Sequence, residues 1–341
     1  MAKRPTIKDV AREAGLSVAT VNRVIAGAGN VREETGRAVA EAAHRIGYHA
    51  VALIEQRLLP NLPRMKVGFL LQKEKQEFYQ NLTRELTEAA SRFKDANCDI
   101  VIEYCHSQAP ADVAEQFLKM GERVQVIGAV AINHPTVTAA VVELKEKGVE
   151  TFALMTDYAQ GERLAYIGLN NLKVGRGAAS MLSIAARKPG KIAIFVGGHR
   201  WHGHELREAG FRAFFREKPA FQVLDTLVNL ETRQLTREAT LDLLERHPDI
   251  VGIYVAGGGM EGAIAALREV RAPGEVALVV NELTQDSKMA LIDGYVTLIN
   301  ETPLSELSEE LVALMFEATK NSDTVPSQRF LNSKLHLPEF D

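Results

Sequence analysis

The chain has 341 residues, 46% of them hydrophobic and 25% charged, with a net charge of −4 at neutral pH. That composition is ordinary for a soluble globular protein, and the length calls for two or three domains. No apolar run approaches the roughly 18–20 residues that cross a bilayer, and the opening MAKRPTIKDV has basic residues with no apolar core behind them, so neither a membrane anchor nor a signal peptide is expected. Cys98 and Cys105 fall near the two ends of one predicted strand, too far apart to bridge each other, and read as thiols of a reducing cytoplasm. The charge is uneven. Residues 1–64 carry ten Lys/Arg against six Asp/Glu, a net of +4, which leaves −8 for the rest. A basic head on an acidic body fits a polyanion meeting the head alone, although an excess of this size decides nothing by itself.

Along the head, Ile7, Val10, Ala11 and Ala14 fall at the i, i+3, i+4, i+7 spacing of one helical stripe. Thr6 is placed to cap that helix, with Asp9 three residues on. Gly15 ends it, since glycine adopts the left-handed conformation of a tight turn. Ser17 caps a second helix with Val21, Val24 and Ile25 inward. Three residues between two helices force a steep crossing, and Ala11 and Ala14 permit close contact. This is helix-turn-helix geometry. A third helix, about Arg32 to Ile46, supplies Val39, Ala42, Ala43 and Ile46 to close a three-helix core.

The whole order TIKDVAREAGLSVATVNRVIAG…NVREETGRAVAEAAHRIGY resembles the headpiece of the LacI/GalR family of bacterial transcription regulators. The resemblance implies that the second helix, Val18 to Val24, reads bases. Val18 and Ala19 match the first two specificity positions and would pack on thymine methyls, and Arg23 matches the arginine that pairs with a guanine. Thr6, Ser17, Thr20 and Asn22 would bond phosphates and set the register, although Thr6 and Ser17 also read as plain helix caps. Asn22 stands where the family usually has serine, and Arg32 where a serine usually caps the third helix.

The following segment departs from the family pattern. Relatives have a proline-led stretch that folds into a minor-groove hinge helix with a wedging leucine. Here HAVALIEQRLLPNLPRMKV has Ala50 for the first proline, Glu55 where arginine is common and Arg57 at the wedge position. Pro60 and Pro63 limit any helix to about two turns. Ala52, Leu53, Gln56 and Leu59 instead suggest a short amphipathic seam between protomers.

From Lys66 onward, apolar runs alternate with helical stretches in two series: KVGFLL, DIVIEY, GAVAIN, TFALMT and AYIGL, then KIAIFVGG, FQVLDTLV, GIYVAGGG, VALVVN and VTLIN. Alternation of this kind indicates parallel sheets flanked by helices. The expected fold is an all-α helix-turn-helix headpiece (1–49), a linker (50–65) and an α/β two-lobed domain (66–341) whose first crossover lies near 170–175. Ligands of such sheets bind beyond the carboxyl ends of the strands, here between the lobes.

The body resembles the periplasmic sugar-binding fold of the same family's effector domains, particularly the ribose-type branch. The resemblance places Phe78 and Tyr79 (QEFYQNLTRELTEAA), Asn171 (IGLNNLKVGRGAASML), Trp201, His202 and Arg207 (RWHGHELREAGFRAFF), Asn281 and Glu282 (VVNELT) and Glu301 (INETP) at the cleft. Asn133 and Asp157 are candidates at other strand ends. Such a set suits vicinal hydroxyls, which take bidentate donors and acceptors, with aromatic faces on the C–H side of a ring. Phe78 and Tyr79 also read as core, Arg207 as the partner of a nearby acid on its helix, and Asn171 as a turn residue. VAGGGMEG lacks the dinucleotide-loop spacing, so Gly257 reads as part of a close-approach loop at the cleft. His199, His202 and His204 fit either a divalent-metal site or a cleft loop bonding hydroxyls. With no cysteine or zinc spacing beside them, no metal and no cofactor is assigned. The resemblance implies a cytoplasmic homodimeric repressor on a palindromic operator, controlled by a small carbohydrate or polyol. The rival reading, an enzyme acting on a sugar or sugar phosphate in the same cleft, finds no nucleophile–base spacing or phosphate loop.

Overall fold

The computed structural model describes residues 5–26, 31–58, 62–320 and 327–339. The chain divides into two compact units, one of them holding the four N-terminal helices. No described helix is long and apolar enough to cross a membrane.

The N-terminal unit is built from α1 (Ile7–Glu13), α2 (Val18–Ala26), α3 (Glu33–Arg45) and α4 (Val51–Leu58). Thr6 opens α1 through its Asp9 carboxylate, whose Oδ2 accepts from the Thr6 amide at 2.8 Å and from its hydroxyl at 2.7 Å. Gly15 has φ +65° with open space around its missing side chain, so its conformation, not crowding, requires glycine. Val10, Val21, Val39, Ala42 and Ala43 are fully buried together, and an Arg45–Glu13 ion pair at 2.9 Å ties α3 to α1. Arg32 precedes α3 without a side-chain cap.

The segment read as a linker is helical and packs on the head. α4 packs on α2 and α3, and Ile54 is buried completely in the same core. Leu53, expected on a seam with a second protomer, is 40% exposed, and Ala52 is exposed too. The Gln56 side chain and Leu59 lie outside the described residues. The helical phase explains this: the side chain aimed at α2 and α3 is the branched Ile54, and Ala52 and Leu53 stay on the outer face. The head is therefore a four-helix unit.

In the second unit, β1 (Arg64–Leu71), α5 (Glu77–Arg92), β2 (Asn97–Tyr104), α6 (Pro110–Gly121), β3 (Val126–Ala129), α7 (Pro135–Glu146), β4 (Glu150–Leu154) and β5 (Ala165–Leu169) make the first lobe. The chain then crosses into a second lobe. There follow α8 (Asn171–Ala185), β6 (Lys191–Val196), α9 (His202–Arg216), β7 (Gln222–Val223), β8 (Leu227–Val228) and α10 (Arg233–Arg246). Next come β9 (Ile250–Val255), α11 (Met260–Val270), β10 (Ala277–Asn281), α12 (Gln285–Ile292) and β11 (Leu298–Glu301). Helix α13 (Leu304–Lys320) packs back on α5 and β3, β12 (Ser327–Leu331) pairs parallel with β5, and β13 (Lys334–His336) pairs antiparallel with β11. The lobes are thus joined by three crossings.

The sheet orders are β12-β5-β4-β3-β1-β2 and β13-β11-β10-β9-β6-β7, with β8 also on β6. Strands such as β3, β5 and β9 are buried along their whole length, as parallel strands covered by helices on both faces must be. The run FQVLDTLV forms two short strands where one was expected. Between them, Arg212 of α9 donates to the Leu224 carbonyl at 3.0 Å and the Thr226 hydroxyl at 2.6 Å.

Truncating Ile54 to alanine is expected to destabilise the head by about 2–5 kcal/mol, the usual cost of a cavity in a packed core. Hydrogen exchange should speed across α1–α3 and stay unchanged in the body, while Leu53→Ala leaves both as they were.

Candidate functional site

On the head, Val21 and Val24 face inward, so the opposite side of α2 is left to solvent. Ser17, Val18, Ala19, Asn22 and Arg23 are all exposed and Thr20 is half-buried. Among the described residues no hydrogen bond or ion pair engages the side chains of Asn22 or Arg23, which leaves the guanidinium of Arg23 available to an outside partner. Ser17 caps α2 by accepting from the Thr20 amide at 3.1 Å, and the two hydroxyls lie 2.9 Å apart. Thr6 and Ser17 thus serve as caps, with their hydroxyls still on the surface. Glu55 is exposed on α4.

Between the two lobes lies a cavity of about 100 Å³. That is room for several waters or one small molecule. Phe78, Tyr79, Met155 and Thr156 line it from the first lobe, and Trp201, His204, Arg207, Glu231, Gly257, Asn281 and Glu282 from the second.

Arg207 is positioned by close approach of two helices. A Cβ on Gly175 of α8 would lie 1.9 Å from the Arg207 carbonyl oxygen, and one on Gly210 of α9 would lie 2.1 Å from that of Leu172. Only glycine permits such contact. It brings Asn171, the first residue of α8, against the guanidinium. Arg207 Nε donates to Asn171 Oδ1 at 2.7 Å and Nη1 to the Ala256 carbonyl at 2.7 Å. Of its five N–H groups three have no acceptor among the described residues. Asn171 Nδ2 in turn donates to the Met155 carbonyl at 3.0 Å and the Tyr166 hydroxyl at 3.1 Å, so its amide is spent on holding Arg207.

Glu282 ends β10 at φ +69°, where its carboxylate accepts from the Thr302 amide at 2.9 Å and hydroxyl at 2.7 Å. Burial raises its pKa, opposed chiefly by the Arg207 charge. Yet no ion pair joins the two side chains. Asn281 also lines the cavity, but its amide bonds the Val255 carbonyl, Tyr254 and Asn300, which ties β9, β10 and β11 together.

His204 accepts the Gly197 amide on Nδ1 at 3.2 Å, which leaves the proton on Nε2. That nitrogen is 3.7 Å from Glu231 Oε1. Burial pulls the imidazole pKa down to about 4, against the pull of Glu231, so the ring is neutral at physiological pH. Glu231 fits because its neighbours lack side chains: a Cβ on Gly197 would lie 2.4 Å from Glu231 Cγ, and one on Gly257 would lie 2.5 Å from His204 Cε1. Tyr79 and Trp201 are 93–96% buried, and no protein acceptor among the described residues takes the phenol or the indole N–H. The Tyr79 pKa is raised well above its ordinary value by burial first and by Glu231 next.

The remaining predicted residues are placed elsewhere. Asp157 is locked in a buried bidentate pair with Arg163, at 2.7 and 2.8 Å, and Arg163 also donates to the Ser327 carbonyl at the start of β12. Asn133 is exposed, and only its backbone amide bridges the lobes, to the Arg200 carbonyl at 2.9 Å. His202 pairs with Glu205 at 3.2 Å, and Glu301 with His336 at 2.6 Å. His199 is exposed, and among the described residues no group of three or more His, Cys, Asp or Glu is arranged to hold a metal ion. Sequence reasoning missed Glu231, Gln76, Glu77, Met155, Thr156 and Glu261 on the cavity wall.

A two-lobed binding domain behind an exposed recognition helix defines a DNA-binding transcription regulator. Residues 67–321 match the family model of the periplasmic binding protein domain, and residues 6–50 match that of bacterial regulatory proteins, lacI family. The body thus belongs to the periplasmic binding protein domain family, and the head is a lacI-family DNA-binding domain. The chain is 26% identical over 288 residues to the HTH-type transcriptional regulator RegA of Clostridium saccharobutylicum, covering 80% of this chain and 81% of that one. Identity to the HTH-type transcriptional regulator GntR of Pseudomonas aeruginosa is 25% over 283 residues, covering 81% and 79%. The body has the fold of ABC transporter solute-binding proteins. One from Burkholderia graminis, solved with D-arabinose, has TM-score 0.74 and 18% identity over 80% of this chain and 95% of its own. One from Agrobacterium vitis, with D-fucose, has TM-score 0.75 and 16% identity over 81% and 96%.

Because the folded His204 pKa lies below its unfolded value, the unfolded chain binds the extra proton first as pH falls. Stability is therefore expected to drop between about pH 6.5 and 4, by up to about 3 kcal/mol from this residue. Urea midpoints of wild type and His204→Gln across that window should differ in slope, the variant being flatter. Equal slopes would reject the buried neutral imidazole.

Proposed function

We propose that this regulator is a homodimeric cytoplasmic repressor of a palindromic operator, and that its cleft takes a small neutral polyhydroxylated effector, a monosaccharide or polyol. The observation that carries the effector reading is the pair Arg207 and Glu282, buried on one cavity wall with no ion pair between them. Three spare guanidinium N–H groups and the indole, imidazole and phenol protons offer donors, while Glu282 and Glu231 keep acceptor capacity. Alternating donors and acceptors beside Phe78 and Trp201 suit ring hydroxyls and an apolar ring face.

Charge argues against an anionic ligand, since Glu77, Glu231, Glu261 and Glu282 line the cavity against Arg207. Arg207 offsets Glu282, and Lys73 lies 3.6 Å from Glu231. Both oxygens of Glu77 accept the Gln285 amide, at 3.1 and 3.2 Å, so that carboxylate is committed to the start of α12. A phosphate or carboxylate on the ligand would meet Glu231 and Glu282 without a free cation beyond Arg207. The reading is of binding without turnover: among the described residues no hydroxyl or thiol hydrogen-bonds the His204 ring, so no nucleophile–base pair forms. The solute-binding proteins of the same fold, solved with D-arabinose and D-fucose, support a small sugar.

On the head, the exposed face of α2 supports major-groove reading by Val18, Ala19 and Arg23, with Thr6, Ser17, Thr20 and Asn22 on phosphates. A symmetric dimer would present two heads to two half-sites. Effector binding would shift the equilibrium between two lobe arrangements that differ in operator affinity.

Two measurements test this reading. Arg23→Ala is expected to weaken operator binding by about 1–3 kcal/mol and to relax preference at one base pair; unchanged affinity and preference would remove Arg23 from the recognition set. In a thermal-unfolding panel of monosaccharides, polyols, uronates and sugar phosphates, one neutral compound should stabilise the body by roughly 2.7 kcal/mol at about 100 times its dissociation constant. A charged sugar outperforming its neutral parent would overturn the neutral assignment, and silence across the panel would overturn the carbohydrate assignment.

A further inference from the structure

At the edge of the cavity, the lobes meet at a contact that no feature of the sequence announced. Leu230 and Glu231, in the turn between β8 and α10, both adopt left-handed backbone conformations, at φ +49° and +53°. The turn is held from below by Asn229, whose Oδ1 accepts the Glu231 amide at 2.9 Å while Nδ2 donates to Thr236 at 3.0 Å and to the Gly258 carbonyl at 2.9 Å. The two successive left-handed residues bring their carbonyls to a single point. Lys73 of the first lobe, itself at φ +37°, fills it. Its Nζ donates to the Leu230 carbonyl at 2.7 Å and the Glu231 carbonyl at 3.0 Å, and lies 3.6 Å from Glu231 Oε2. Gln76 adds a bond from Nε2 to the same Glu231 carbonyl at 3.1 Å.

Glu231 is thereby gripped at both ends. Its other oxygen, Oε1, accepts the Gly258 amide at 3.2 Å and faces His204 on the cavity wall. Lys73 does not line the cavity.

We propose that Lys73 is a positioning residue for effector binding: from the first lobe it fixes the Glu231 turn of the second, so that the acceptor Glu231 offers the effector is held in place only while the lobes are closed. The inference rests on the effector reading of the cleft for its consequence, and on the contacts alone for the clamp. Lysine suits the place because a compact ammonium with three donors satisfies two converging carbonyls and a carboxylate at once. Its removal acts through Glu231 and not through any contact with the ligand.

The test uses the full-length protein and three variants: Lys73→Met, which keeps the stem and removes the donors, Lys73→Arg, which restores charge, and Glu231→Gln. Hydrogen exchange of the 229–232 amides is read first, without any sugar present. Exchange is expected to rise at least about tenfold in Lys73→Met and by less in Lys73→Arg, which keeps the charge but not the compact ammonium, with the thermal midpoint of the body unmoved. Unchanged exchange in Lys73→Met overturns the clamp, whatever the cleft binds. Binding kinetics are read next, with D-arabinose, D-fucose and any further neutral monosaccharide that stabilises wild type as probes. Lys73→Met should dissociate about tenfold faster with an unaltered association rate, and Glu231→Gln should combine with it without further loss. Faster exchange with unaltered dissociation overturns the positioning role. If no sugar binds wild type, the effector reading fails and the positioning role falls with it, while the exchange result still decides the clamp.

Discussion

A guanidinium buried among strands and helices must have its protons accounted for, and the second lobe's cleft wall is arranged around that demand at Arg207. An unmet charged donor would cost several kcal/mol. Two of the five protons are met by Asn171 and Ala256, and the others are left for whatever enters the cavity. Meeting the first two fixes much else. Asn171 must reach Arg207, so α8 and α9 must nearly touch, so Gly175 and Gly210 must lack side chains. Asn171 must present its oxygen to Arg207, so its nitrogen must face acceptors, and it finds the Met155 carbonyl in the other lobe. The first crossing between lobes is thereby hydrogen-bonded to the arginine of the cavity wall.

The same economy runs through the opposite wall. Glu231 and His204 share a space cleared by Gly197, Gly257 and Gly258, while Gly259, at φ +89°, lies against Thr236 and Asn229. A dinucleotide loop would use its glycines to admit a phosphate; this one admits a carboxylate and an imidazole from its own lobe. Its sequence spacing was already wrong for a nucleotide, and the geometry supplies the positive reason.

What was legible in the sequence followed from local chemistry. Helix stripes, caps and the Gly15 turn identified the head, and alternating strands and helices identified the two sheets. Arg207, Phe78 and Tyr79 sat in stretches that resemble a family. The illegible parts depend on contacts between distant residues. Nothing in LVNLETRQ marks Glu231, because its place depends on two left-handed residues of types that rarely adopt that conformation. Asp157 looked free at a strand end until Arg163, six residues on, turned back to claim both of its oxygens. The histidine cluster was an accident of spacing: positions two apart on a helix diverge, so His202 leaves for Glu205 while His204 enters the wall.

Three non-glycine residues of the cavity wall, Met155, Glu231 and Glu282, hold left-handed conformations. Each costs on the order of 1–3 kcal/mol and persists only where surrounding bonds over-determine it. Glu282 shows what the strain achieves. Along an extended strand neighbouring side chains point to opposite faces, so Asn281 and Glu282 would not both reach one cavity. At φ +69° the alternation breaks, and the Thr302 amide and hydroxyl take the carboxylate as it turns back. Asn281 then spends its amide on the sheet while Glu282, next to it in sequence, lends its remaining acceptor capacity to the cleft. Replacing either role with a regular strand would bury the carboxylate among helices or leave Tyr254 and Asn300 without their partner. The strained turn lets one strand end serve the core and the site at once.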